Sequence, residues 1–124
     1  LDPYTGNTVT APSALDVDHM VPLAWAYAHG AEAWTRDQRR AYANSMDDPD
    51  HLVAVGLREN RQKGAQGPAD WVPPDVSAHC WYGRAWMRIT NSWRLTFDVR
   101  EMQAVISMIA TCTGKPPLPV IDIE

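Results

Sequence analysis

The stretch from Asp16 to Pro22 reads DVDHMVP, with Asp18 directly before His19. An imidazole titrates close to neutrality, so a positioned histidine can be uncharged at pH 7 and still accept a proton. A carboxylate is a hard oxygen donor suited to a divalent cation. Asp18 and His19 thus have the types to couple a proton acceptor to a metal ion, if the rest of the chain brings partners. Taken alone, they would more simply cap a strand end. Candidate partners follow at His51, Asn60 and Lys63. Asn60 lies nine residues after His51 and Lys63 three after Asn60. Residues three apart share a face of any helix that holds both. Arg58 and Arg61 fall on another face.

The surrounding pattern predicts the elements that must hold these side chains. Leu15, Val17 and His19 alternate against Asp16 and Asp18, which is strand periodicity over Ala14 to His19, ended by Pro22. A regular strand sends Asp18 and His19 to opposite faces, so one shared site needs the chain to leave strand geometry there. Leu52 to Val55 reads as a second short strand, and Leu57 to Lys63 as a short helix between Gly56 and Gly64. Leu23 to His29 predicts a helix closed by Gly30. TRDQ, from Thr35 to Gln38, fits a capping box that starts a helix over Arg36 to Asn44. YTGNTVT near the start predicts a turn with short flanking strands.

Two longer helices follow, over Ser77 to Ser92 and Asp98 to Thr111. The stripes Tyr82, Trp86, Ile89, Trp93 and Val99, Met102, Ile106, Ile109 read as packing seams. Asp98 and Glu101 stand where a cap and its return partner belong. Folded into a hairpin, these helices bring Cys80 and Cys112 together, since each lies sixteen positions from Thr96. A disulfide is favoured over two buried thiols. It would stabilise by about 3–4 kcal/mol for such a loop and place the protein outside the reducing cytosol. The segment 114–124 is a Pro-rich C-terminal tail with no assigned chemistry.

Composition narrows the classes. The 124 residues suit one domain with a modest core, filled by six Trp, four Tyr and five Met. No apolar run is long enough to span a membrane. The net charge of −4 argues against coating nucleic acid through bulk charge. The cations are nevertheless grouped, as Arg36, Arg39, Arg40, then Arg58, Arg61, Lys63, then Arg84 and Arg88. Without a C-x-x-C pair, a Cys-rich zinc site is not expected. Leu1 opens the chain without a charged and apolar leader, so either a signal peptide has been removed or the chain starts inside a longer one.

The ordered set DVDHMVPL, DHLVAV and LRENRQKG, carrying Asp18, His19, Asn60 and Lys63, resembles the HNH endonuclease motif of the ββα-metal (His-Me finger) class. VTAPSALDVDHMVPLAWAYAHGAEAW, NRQKGAQGPADWVPP, CWYGRAW and WRLTFD resemble secreted bacterial HNH nucleases with a GmrSD-type C-terminal domain. The likeness reaches nearly to Cys112. It implies an α+β fold: a ββα-metal core over residues 1–113, with extra helices and the disulfide-linked hairpin.

The resemblance also implies roles. His19 is the general base that activates water. Asp18 and Asn60 hold one divalent cation, most simply Mg²⁺, which keeps several waters and takes further oxygens from a phosphate. Lys63 and Arg61 hold substrate phosphate, with Arg58 more simply a surface charge. His51 stands where the family most often has Asn and braces the loop around the base. If it reached the metal instead, Mn²⁺ or Zn²⁺ would be favoured. Asp16 is structural or in a supporting position. His29 suits a helix end, and His79 has no evident partner. Trp71 and Trp81 are core residues by default, with stacking on unpaired bases as the alternative. The implied protein is a secreted monomer that hydrolyses DNA, and RNA as an alternative, with low sequence preference and 5′-phosphate products. The competing reading is an HNH-fold module that holds nucleic acid without cutting it. A metal-dependent hydrolase of another substrate is a weaker one, since no H-E-x-x-H helix is present.

Overall fold

A computed structural model describes residues 1–113; the Pro-rich tail lies outside the described residues. The expected strands form as an antiparallel pair, β1 (Leu15–His19) and β2 (Leu52–Gly56), with Asp18 opposite Val53 and His19 opposite Leu52. Between them lie two helices, α1 (Leu23–Ala28) and α2 (Arg36–Ala43). After β2 the chain turns at once into α3 (Leu57–Lys63). Gly64 closes α3 with φ of 52° and donates to the Asn60 carbonyl at 3.0 Å, a left-handed stop that favours glycine. The hairpin of α4 (His79–Ser92) and α5 (Val99–Ala110) completes the fold. The fold class is α+β, and 3-10 turns at Pro12–Ala14, Ala31–Ala33, Val76–Ala78 and Thr111–Thr113 join its parts.

The local start signals act as read. Thr35 Oγ1 accepts from Gln38 N at 3.1 Å and Gln38 Oε1 from Thr35 N at 2.9 Å. Asp98 and Glu101 make the same reciprocal pair, at 2.8 and 2.9 Å, at the head of α5. These caps satisfy backbone donors that a helix start leaves unpaired. YTGNTVT does turn, with Gly6 N donating to Asp2 O at 2.8 Å, but no strands flank it.

The α4 stripe is a seam as expected: Tyr82, Trp86 and Ile89 are buried and Trp93 packs against the core. The α5 stripe holds at Ile109, which packs against the core, and is corrected elsewhere. Val99 and Ile106 are 75% and 55% exposed, and the buried residues are Glu101, Val105 and Met108. Two features rotate α5 this way. Gly83 lets the helices approach, since a Cβ there would stand 2.8 Å from Met108 Cβ. Glu101 also finds partners inside, accepting from Trp25 Nε1 at 2.7 Å and lying 3.2 Å from His29 Nε2. A buried carboxylate is tolerated when paired and hydrogen-bonded in this way. Cys80 and Cys112 form the disulfide that the hairpin register implies, with Cα atoms 4.8 Å apart.

Candidate active site

β1 stays regular through His19, so Asp18 and His19 leave it on opposite faces. The departure from strand geometry that a single-sided site needs does not occur. Asp16 and Asp18 share the face that α3 covers, and α3 lays one side chain over each. Asn60 Nδ2 donates to Asp16 Oδ2 at 2.7 Å, and Lys63 Nζ meets Asp18 Oδ2 at 2.5 Å. The expected neighbours were Asp18 with Asn60; the contacts are one rung displaced. Asp16, read as supporting, is the carboxylate that touches Asn60.

Lys63 is corrected more strongly. It is fully buried rather than open to a substrate phosphate. Its ammonium donates to Asp18, to the His19 carbonyl at 3.0 Å and to the Met20 carbonyl at 2.8 Å. The rings of Tyr4 and Tyr82 lie 5.8 and 5.7 Å from it. Burial lowers the lysine below its usual range, and the Asp18 charge opposes that shift. Tyr4, which nothing in the local pattern marks, donates its hydroxyl to the same Asp18 oxygen at 2.5 Å. Its own ionisation is pushed far up by burial, so it stays a neutral donor. Both contacts use Oδ2; no hydrogen bond from the described residues reaches Oδ1 of Asp18.

On the other face, His19 Nε2 lies 2.8 Å from the carbonyl of Ala43, the last residue of α2. A carbonyl only accepts, so this nitrogen carries the proton and the lone pair of the neutral ring sits on Nδ1. His51 does the same one residue earlier: its Nε2 donates to Tyr42 O at 2.6 Å. The last carbonyls of a helix have no partner within it, and two histidines supply donors here. The His51 carbonyl also accepts from Met20 N at 2.9 Å. His51 thus ties together α2 and Met20, the residue after His19, through its own ring and backbone. Its loop is held in turn by Arg88, which forks onto Asp48 at 2.9 Å and meets Asp50 at 2.7 Å.

His51 is 1% exposed, its Nδ1 has no hydrogen-bond partner among the described residues, and burial lowers its pKa below the ordinary 6.5. The sign follows directly. Below about 6.5 the unfolded chain takes up a proton at this ring that the folded protein refuses, so stability falls as pH drops toward the lowered folded value. Above 6.5 the contribution is complete and flat. Urea titrations at stepped pH should show His51→Gln with a shallower acid slope than wild type, by up to about 1.4 kcal/mol per pH unit. Parallel slopes would mean the ring is not held neutral.

The remaining candidates separate. Arg58 and Arg61 are exposed and line a cleft of about 700 Å³ with Asp2 and Glu59. Trp71 and Trp81 are half-buried and pack beside Tyr4 and Tyr82. His29 stacks on Trp25 at 3.7 Å, and His79 finds its partner in the Pro73 carbonyl at 2.8 Å.

Among the described residues no group of three His, Cys, Asp or Glu side chains forms a metal cage. The donors on the α3 face are two aspartates and an amide oxygen. Such a hard, sparse set fits an ion that keeps most of its own water, as Mg²⁺ does, better than Zn²⁺.

No protein-family model matches the chain, and no solved structure matches it. A curated protein of Arthroderma benhamiae, named "Uncharacterized secreted protein", is 43% identical over 110 residues, which are 89% of this chain and 53% of that protein. The chain therefore spans about half the length of the curated relative it matches.

Proposed function

We propose that the protein is a secreted, divalent-metal-dependent endonuclease of the HNH type that cuts DNA with low sequence preference. The observation that carries this is the fixed tautomer of His19. A ring whose Nε2 proton is given to Ala43 presents Nδ1 as a proton acceptor at the end of β1. Among the described residues β1 pairs with β2 alone, so no described strand occupies its other edge. With β1 regular, the centre would be two-sided: a phosphodiester laid across the strand end would meet His19 on one face and Asp18, Asp16 and Asn60 on the other. His19 takes the proton of the attacking water. Asp18, Asn60 and the adjoining Asp16 would hold the cation, which when bound neutralises phosphate charge and stabilises the departing 3′ oxygen. Lys63 keeps Asp18 in place and anchors the backbone on both sides of the base. Secretion is supported by the relative's name and by the disulfide.

One observation favours a second reading. With Asp18 held by Lys63 and Tyr4, the fold could grip nucleic acid without assembling a cutting centre. Supercoiled plasmid incubated with the protein and Mg²⁺, Mn²⁺ or Zn²⁺, with and without EDTA, separates the two. Nicked and linear forms that appear with metal and stop with EDTA are expected. Plasmid retarded in a gel but intact with every metal would establish the binding module instead.

A further inference from the structure

Ala43, whose carbonyl holds His19, also lines a groove of about 330 Å³ between α1 and α2. Its walls are apolar and aromatic, with Leu23 and Tyr27 from α1 and Trp34 from the connection. Tyr27 nevertheless leaves 51% of its surface exposed and Leu23 45%. A cation is fixed at the same place. Arg39 Nη1 donates to the Trp34 carbonyl at 2.7 Å, and its guanidinium carbon lies 5.8 Å from the Tyr27 ring centroid. Arg36 and Arg40 stand exposed on the same helix, beside the exposed acids Glu32 and Asp37, so Arg39 is the cation fixed against the groove.

A half-exposed tyrosine ring with a guanidinium fixed over it matches the two parts of a nucleotide: a flat base that stacks and a phosphate that carries charge. A base inside a duplex already has both faces covered by its neighbours and cannot enter without leaving the stack. We infer that this groove receives an unpaired base of the substrate strand beside the bond that is cut, with Tyr27 stacking on it and Arg39 meeting the adjoining phosphate. The inference rests on the nuclease reading and narrows its substrate to single-stranded or locally opened nucleic acid.

Binding of a fluorescein-labelled oligothymidylate, measured by anisotropy in EDTA, tests it. The comparison strand is abasic, with the same length and phosphates. Tyr27→Ala should weaken oligothymidylate binding about tenfold, and Tyr27→Phe should keep it. The abasic strand should bind weakly to all three proteins alike. Equal affinity of wild type and Tyr27→Ala for oligothymidylate, or of wild type for the two strands, would overturn the inference. Plasmid cutting run in parallel keeps the two failures apart. If metal-dependent cutting persists, only the groove assignment falls; if no strand is bound and nothing is cut, the nuclease reading falls with it.

Discussion

His19→Ala is expected to slow metal-dependent plasmid cleavage about 10²–10⁴-fold, the usual worth of a positioned proton acceptor. The direction of the Ala43 hydrogen bond makes the case specific. It leaves a single ring nitrogen, Nδ1, able to take a proton from water. Alanine removes that acceptor and one partly buried hydrogen bond, whose loss costs only about 1 kcal/mol. The variant should therefore stay folded with a small drop in Tm while activity is lost. His19→Asn sharpens the point, because its amide can still donate toward Ala43 but offers no basic nitrogen. It should recover stability and not rate. Undiminished cleavage by either variant would remove His19 from the chemistry and leave its carbonyl contact as a purely structural brace.

Much of the frame around His19 was legible because its signals are local. Thr35 with Gln38 and Asp98 with Glu101 each carry a helix start within four residues. Strand alternation marks β1, and the glycines bracket α3. The α5 seam was not legible, because the helix has two usable faces. Counting apolar residues selects Val99, Met102 and Ile106. The buried face instead includes Glu101, whose cost disappears only when Trp25 and His29 are seen beside it. Those partners come from α1 and the residue after it, which no pattern within α5 reveals.

The candidate residues Asp18, Asn60 and Lys63 do lie together, but their pairing is displaced, and here a usable signal existed. β2 runs antiparallel to β1, and α3 reverses again, so α3 runs in the direction of β1. Two residues of a strand span about 6.6 Å and three of a helix about 4.5 Å, close enough for two rungs to match. The earlier residue of one element then meets the earlier of the other: Asn60 meets Asp16, and Lys63 meets Asp18. Tyr4 carries no such signal, since it reaches Asp18 from a turn outside both periodic segments.

Lys63→Met is expected to destabilise the protein by about 3–5 kcal/mol, the range for breaking one side of a buried ion pair. Methionine replaces the aliphatic stem well, so the loss isolates the ammonium. What it strands is a carboxylate only 7% exposed and the carbonyls of His19 and Met20. The remaining donor to Asp18 is the neutral Tyr4 hydroxyl, which cannot balance a full charge. Asp18→Asn on the Lys63→Met background should restore part of the loss, because an amide needs no counter-ion, and the two changes should be strongly non-additive. Urea unfolding of the two single variants and the double variant measures this. Additive losses, or a Lys63→Met protein as stable as wild type, would show that the ammonium does not hold the strand end. Cleavage adds a second reading from the same proteins. If Lys63 fixes the backbone that carries His19, Lys63→Met loses activity at temperatures where it is still fully folded. If it serves stability alone, folded Lys63→Met cuts at the wild-type rate, and the imidazole must be placed by Ala43 and His51 without help from α3.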